Sequence, residues 1–150
     1  MSDLQIRPAS PADIPAIVEM LADDSLGARR ESPDDLTPYT VAFERLAGDP
    51  NQHLVVAERA GRVVGTLQLT VIPGLSRRGA TRSIIEAVRI HSDERGTGLG
   101  SRLIEWAVDE SRRQNCQLVQ LTSDVSRTDA HRFYERLGFE ASHVGFKRTI

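Results

Sequence analysis

The sequence is poor in cysteine: Cys116 is the single one among 150 residues. One thiol cannot form an internal disulfide or a cysteine-based metal cluster, which excludes a disulfide-stapled scaffold and a zinc ribbon. We interpret Cys116, which follows a helical pattern, as a packing residue. The scarcity of cysteine is consistent with a reducing compartment, and we expect a cytoplasmic protein.

Several other features are also missing. No apolar run approaches the length of a transmembrane helix, and the segment from Met1 to Leu4 is too polar for a secretory signal. The net charge of −2 gives no general reason to expect binding to nucleic acid or to a membrane. The four histidines are scattered without metal-ligand spacing, so we expect no metal site.

What remains is an ordinary globular composition, with 39% hydrophobic and 27% charged residues. A chain of 150 residues is long enough for one domain with a real core, and we predict a single domain over residues 1–150. The segments 23–35 and 73–79 are polar and are interpreted as irregular loops.

Hydrophobic periodicity predicts an alternation of strands and helices in a mixed α/β layer fold. The expected order is β-α-α-β-β-β-α-β-α-β-β, ending in a hairpin over residues 139–149. Strands are predicted at 4–7, 54–57, 63–71, 84–90 and 118–122. Helices are predicted from Pro11, over about 38–47, from Leu99 and over 130–137.

A glycine-rich turn lies between the strand at 84–90 and the helix that begins at Leu99. Gly96, Gly98 and Gly100 are three glycines in five positions, so the backbone can approach a ligand closely. The helix offers unpaired N–H groups and a positive dipole end to an anion, which indicates a ligand that carries phosphate.

Two common phosphate motifs do not fit this turn. A P-loop requires Gly-Lys-Ser/Thr, whereas Ser101 and Arg102 follow Gly100 here. A dinucleotide fingerprint requires a glycine three positions after Gly98, where this chain has Ser101, and the later acidic residue is also missing.

The pattern Arg95-x-x-Gly98-x-Gly100 instead resembles the pyrophosphate-binding signature of the GNAT superfamily, the acetyl-CoA-dependent N-acyltransferases. The segment from Ala130 to Phe139 is similar to the C-terminal helix of that family and its Tyr…Gly-Phe ending. The resemblance implies a GNAT-like central mixed sheet flanked by helices, with acetyl-CoA as the co-substrate and no metal.

The resemblance also implies a set of cofactor contacts. The acetyl carbonyl and the pantetheine arm would lie along the backbone of Val88 and Ile90. One position departs from the family, because Arg127 stands where many relatives have an asparagine near the cofactor. The residues that would hold the pyrophosphate are Arg95, Gly96, Thr97, Gly98, Leu99, Gly100 and Ser101.

Acetyl transfer to an amine needs a base, because an alkyl ammonium with a pKa near 10 is almost fully protonated at neutral pH. Glu86 is the candidate base. Strand alternation places its side chain in a row with three apolar ones, and burial there would raise its pKa. The alternative is that Glu86 pairs with Arg82 or Arg89, or lies on a solvated face. The resemblance favours the catalytic role. The predicted row comprises Ile84, Glu86, Val88 and Ile90.

Tyr134 is the candidate acid for the departing thiolate. An aromatic at helical spacing beside Phe133 is usually a core residue, but the matching tyrosine of the family often lies near the thioester sulfur. The resemblance therefore favours Tyr134 as the proton donor.

The sequence thus predicts an N-acetyltransferase that works by direct attack in a ternary complex. The alternative is a catalytically weak acyl-CoA-binding sensor or interaction domain. The acceptor is left open between a small molecule and a peptide amine, as is a homodimer. Arg77, Arg78 and Arg82 surround the 73–79 loop, where they are either solvated or hold an anionic acceptor, the adenosine phosphate or a partner.

Overall fold

Five strands form one mixed sheet with the order β1-β2-β3-β4-β5 in a computed structural model that describes residues 3–150. The first four strands pair antiparallel, and β5 pairs parallel with β4. The strands are β1 (Leu4–Pro8), β2 (Gln52–Arg59), β3 (Arg62–Ile72), β4 (Arg82–Ile90) and β5 (Leu118–Leu121).

Helices flank the sheet and connect its strands. The first helix follows a capping box, in which Ser10 and Asp13 form hydrogen bonds with each other's backbone groups. A serine followed three residues later by a carboxylate is the sequence motif that indicates it. Among the described residues no helix is long and apolar enough to cross a membrane. The helices are α1 (Ile14–Ala22), α2 (Gly27–Arg30), α3 (Thr37–Ala47), α4 (Ser76–Gly79), α5 (Leu99–Arg113) and α6 (Thr128–Arg136).

The main core lies between α5 and the sheet. Leu99, Leu103 and Ala107 are fully buried and pack against Leu67 and Leu69 of β3. The helical spacing of Leu99, Leu103, Trp106 and Ala107 in the sequence predicts one buried stripe, and the structure confirms it, although Trp106 is only partly buried at its margin. Because α1 packs against β3 and β4 as well, the sheet is covered on both faces.

A bulge at Ala87 interrupts the pairing between β3 and β4. Gln68 lies opposite Glu86, but the next aligned pair is Thr66 with Arg89, so β4 contains an extra residue. Ala87 has a φ of +53°, a left-handed conformation that side chains rarely adopt.

The bulge shifts the alternation of side chains along β4. Ile85, Val88 and Ile90 all pack towards the core under α5. Glu86 is exposed and Arg89 turns away from α5 to meet Asp24. The prediction that Ile84, Glu86, Val88 and Ile90 share one face is therefore wrong. Side chains alternate between the two faces of a strand, and one extra residue exchanges the faces for all residues that follow it.

Two further differences from the predicted order concern loops. The segment 23–35 contains the short helix α2, and the segment 73–79 contains the single turn α4. The predicted C-terminal hairpin is wrong for the structure described, because residues 139–150 contain no strand. Val144 and Phe146 point into solvent there, and a hairpin without a buried apolar face has little to stabilise it.

Candidate active site

The glycine-rich turn leads from β4 into α5 through a tight backbone path. A single 3₁₀ turn, Ser92–Glu94, follows β4, and the hydroxyl of Thr97 donates to the Glu94 carbonyl at 2.7 Å. Gly96 and Gly98 have φ values of +80° and +85°. Such a path requires residues without a Cβ, which explains glycine at these two positions.

Gly98 is the N-cap of α5, and its carbonyl accepts the N–H of Arg102 at 3.2 Å. No side chain of the described residues caps this helix end. The N–H groups at the start of the first turn therefore point outward without an intrahelical acceptor, and the helix dipole adds partial positive charge. This end of α5 suits an anionic ligand.

The three glycines serve different purposes. A Cβ built on Gly96 or Gly98 would meet no atom within 4 Å, so the surface above them is open. A Cβ on Gly100 would lie 3.4 Å from Cζ of Phe133 in α6. That distance is an ordinary van der Waals contact, so Gly100 faces a neighbouring helix, whereas the other two glycines lie under an open surface.

Arg95, the first residue of the predicted signature, is 62% exposed. Its guanidinium lies 3.7 Å from the carboxylate of Asp23 at the end of α1. An exposed ion pair of this length contributes little stability, so Arg95 is free to turn towards a bound anion.

The strands β4 and β5 diverge next to this turn. Their pairing runs from Arg82 opposite Leu118 to Ile85 opposite Leu121, and β5 ends there. The backbone of β4 from Val88 to Ile90 therefore has no neighbouring strand on that side among the described residues. We call this opening the fork; it offers main-chain groups to an extended ligand.

Glu86 lies at the start of the fork, one residue beyond the last β4–β5 pair. Its side chain is exposed and forms no ion pair with any residue of the described chain, so the alternative pairing with Arg82 or Arg89 is not observed. The predicted burial in an apolar row is not observed, and Glu86 lies on a solvated face, as the other alternative had it. Arg82 instead donates to the side chain of Gln120 at 3.1 Å.

Tyr134 is partly buried on α6 and packs edge-to-face between two phenylalanines. Its ring centroid lies 5.3 Å from that of Phe133 and 6.0 Å from that of Phe139. Burial raises the pKa of the Tyr134 phenol, while the charges of Arg127 and Arg89 oppose the rise. The hydroxyl is therefore within electrostatic reach of two arginines.

These arginines converge on Asp24, in the segment between α1 and α2. Arg127 donates to its carboxylate at 2.9 Å, and Nε of Arg89 lies 3.7 Å from the same oxygen. The backbone N–H of Gly27 donates to the other oxygen. We call Asp24, Arg89 and Arg127 the arginine cleft.

A cavity of about 460 Å³ opens at this cleft, between the α1–α2 segment and the start of α6. Its walls include Asp24, Leu26, Arg127 and Ala130. Within residues 3–150, no group of three or more histidine, cysteine, aspartate or glutamate side chains could hold a metal ion.

Reasoning from the sequence missed the arginine cleft. Its three members lie on different elements, and the bulge that turns Arg89 towards Asp24 occurs at an alanine. Two signals were present: the departure at Arg127 from the family's asparagine, and a charged residue, Arg89, between two apolar ones in a strand.

Comparison with known proteins agrees with this geometry. The model of the acetyltransferase (GNAT) family matches residues 14–139. An aminoalkylphosphonate N-acetyltransferase of Salmonella typhimurium is 37% identical over 102 residues, which cover 68% of this chain and 66% of that protein. A glucosamine 6-phosphate N-acetyltransferase of Trypanosoma brucei is 30% identical over 141 residues, or 93% of this chain and 90% of that one.

The fold also matches solved structures over its whole length. A crystal structure described as a transcriptional regulator from Bacillus halodurans C-125 superposes with a TM-score of 0.95. It is 44% identical and covers 99% of this chain and 100% of its own.

Proposed function

The chain belongs to the GNAT family and is an acetyl-CoA-dependent N-acetyltransferase, and from that premise we propose that an amine attacks the acetyl group directly at the fork between β4 and β5. The observation that carries the proposal is the end of β4–β5 pairing at Ile85 and Leu121, immediately before Glu86. Three features follow one another along β4 at the fork: the carboxylate of Glu86, main chain that pairs with no strand on that side, and the glycine-rich turn.

The residues around the fork suit acetyl-CoA, which supplies an acetyl group activated as a thioester. The open N-terminus of α5, with Gly96 and Gly98 in left-handed conformations, would hold the pyrophosphate together with Arg95. The main chain of Val88 and Ile90 would bind the pantetheine arm. A backbone N–H near the acetyl oxygen would stabilise the charge that develops on it.

Glu86 acts as the base. Its exposed carboxylate is free to take a proton from the incoming ammonium or amine, directly or through one water. The nitrogen lone pair then forms a bond to the acetyl carbon, and the carbon–sulfur bond breaks.

Tyr134 donates the proton that the departing thiolate needs. Its phenol is protonated throughout the neutral range, which is the form required of an acid, because the ordinary pKa of tyrosine is about 10 and burial raises the pKa of Tyr134 further. The packed ring fixes the position of the hydroxyl, since the two neighbouring phenylalanines hold it edge-to-face.

We assign the acceptor to small amines and not to peptides. Two relatives support this assignment, because their names specify an aminoalkylphosphonate and glucosamine 6-phosphate. The open depression of about 460 Å³ next to Arg127 is large enough to admit such a molecule.

Release of free thiol from acetyl-CoA, measured across a panel of small amines and peptides, tests the proposed function. We expect turnover with at least one small amine and a linear dependence on enzyme concentration. The variant Arg112→Gln, at the far end of α5, serves as a control that should retain the wild-type rate.

The rival role, an acyl-CoA-binding sensor, has one observation in its favour. The similar Bacillus halodurans chain is described as a transcriptional regulator. A sensor without catalysis would bind acetyl-CoA in calorimetry but release no thiol with any amine, and that result would overturn direct transfer.

A further inference from the structure

Arg89 is a buried cation whose donors are incompletely used. Its side chain is 17% exposed, and its Nε–H finds no acceptor within hydrogen-bond distance among residues 3–150. One terminal nitrogen donates to the Val88 carbonyl at 2.9 Å. A buried donor without an acceptor carries a desolvation cost, so this conformation is suited to a further partner.

The carboxylate of Asp24 does not fill that role. One of its oxygens accepts from Gly27 and the other from Arg127, and Arg89 lies beyond hydrogen-bond distance at 3.7 Å. Burial lowers the pKa of Arg89, and Asp24 offsets this only in part.

Arg89 has other charged neighbours besides Asp24. Arg30 and Arg127 act on it as cations and Glu31 as a further anion. Asp24, the carboxylate paired with it, already accepts hydrogen bonds from a backbone N–H and from Arg127. The Nε–H of Arg89 is therefore left for an anion from outside the described chain.

The cleft also lies beside the reacting groups. Arg89 is three residues beyond Glu86, and the bulge at Ala87 turns it away from the α5 core. Arg89 and Arg127 both act on the Tyr134 phenol. A molecule bound to these arginines would therefore extend towards the fork.

We propose that Arg89 and Arg127 bind an anionic group of the acceptor, so that the preferred substrate is a small amine carrying a phosphonate, phosphate or carboxylate. A planar guanidinium can donate two parallel hydrogen bonds to two oxygens of such a group. The acceptor anion accepts from the Nε–H of Arg89, which Asp24 does not reach, and lies beside Arg127. This inference rests on the proposed function, since it assigns the acceptor of the same fork.

The phosphates of coenzyme A share this chemistry, so the experiment must separate the two sources. Thiol release is measured with matched acceptors: 2-aminoethylphosphonate and β-alanine carry an anion, while propylamine has a neutral tail of similar length. Calorimetry with coenzyme A measures cofactor affinity independently. The variants are Arg89→Lys and Arg127→Gln, with Arg112→Gln as the control.

We expect the wild type to favour at least one anionic acceptor over propylamine by tenfold or more in kcat/KM. Arg127→Gln and Arg89→Lys should each lower kcat/KM for that acceptor about tenfold, equivalent to about 1.4 kcal/mol, mainly through KM. Their kcat/KM for propylamine should fall much less than that for the anionic acceptor, because propylamine has no anion for the arginines to bind, and coenzyme A affinity should account for none of that difference. Arg127 lies at an exposed helix start, so its variant remains informative if Arg89→Lys fails to fold.

Three results would overturn the proposal: a wild type that does not prefer either anionic acceptor, variants that slow every acceptor equally, or variants that weaken coenzyme A binding instead. Failure of the proposed function looks different. In that case the wild type releases no thiol with any amine, while calorimetry still detects 2-aminoethylphosphonate binding that Arg127→Gln abolishes.

Discussion

Two arginine–aspartate clusters in this protein differ in how completely their donors are used. In the first, Arg7 binds both carboxylate oxygens of Asp13 at 2.8 and 3.0 Å and reaches Glu58 at 3.3 Å. Ser10 donates its backbone N–H and its hydroxyl to the same aspartate. This cluster joins β1 to the start of α1, and both of its carboxylates bind the one guanidinium.

The arginine cleft has the opposite character. Arg89 and Arg127 both lie next to the carboxylate of Asp24, but Nε of Arg89 is 3.7 Å from it. The Nε–H of Arg89 has no acceptor in the part of the chain described. The pKa of Arg7 is raised by its hydrogen bonds to Asp13 and Glu58, whereas burial lowers that of Arg89. The comparison teaches that a saturated cluster supports the fold, while an unsaturated one is suited to a ligand.

From this comparison we expect substitutions around the fork to change the rate of acetyl transfer and to leave the stability of the fold unchanged. Glu86→Gln should have the largest effect on that rate. The variant keeps the shape of an exposed side chain and removes the carboxylate. We expect kcat to fall by about 10²-fold, the lower end of a general-base contribution, with unchanged melting temperature and coenzyme A affinity. If the variant keeps the rate and the acidic limb of the pH profile, Glu86 is not the base.

Tyr134→Phe should have the next largest effect. Removal of one oxygen leaves the packing with Phe133 and Phe139 nearly unchanged, so stability should change little. Transfer should slow by about one to two orders of magnitude, because water can replace the phenol as the proton donor. The loss should shrink with acyl donors of more acidic thiols. An equal loss with every donor would assign Tyr134 to positioning.

Gly98→Ala tests the proposed cofactor site at the glycine-rich turn. Gly98 has a φ of +85°, so alanine introduces left-handed strain of about 1–2 kcal/mol or shifts the turn. Coenzyme A affinity, measured by calorimetry, should fall about tenfold. Gly61→Ala is the matched control, because Gly61 has a φ of +77° in the β2–β3 turn and also has open space around it. Equal losses in both variants would indicate general destabilisation.

The smallest effect expected is a pH dependence of the saturated cluster. The hydrogen bonds from Arg7 lower the pKa of the Asp13 carboxyl below its usual value. Its contribution to stability is therefore complete above the unfolded pKa of about 4 and is lost as the pH falls through the lower folded value. Urea unfolding at a series of pH values should show this loss, and Asp13→Asn should remove that part of the dependence.

The sequence predicted the regions where local rules decide the structure. The five strands, the helix that begins at Leu99 and its buried leucines follow from spacing and residue type. The family resemblance added the glycine-rich turn as a cofactor site, and the family is confirmed by the matching model.

The parts that were missed depend on contacts distant in sequence. Ala87 adopts a left-handed conformation, but it is not a glycine, the residue that would indicate such a conformation in the sequence. The bulge decides where Glu86 and Arg89 point. Asp24 and Arg127 are 103 positions apart, so no local pattern joins them. The C-terminal hairpin over residues 139–149 was predicted from the sequence pattern, but the structure has no strand there and leaves Val144 and Phe146 exposed.

The most direct test of the account compares two arginine-to-glutamine variants, one from each cluster. Arg7→Gln should lower the free energy of unfolding by about 2 kcal/mol, because Asp13 is left buried without its partner, and should leave the KM for an anionic acceptor unchanged. Arg127→Gln should raise that KM about tenfold, as a loss of about 1.4 kcal/mol implies, and leave unfolding unchanged. The account is contradicted if Arg7→Gln alters acceptor KM, or if Arg127→Gln changes only stability.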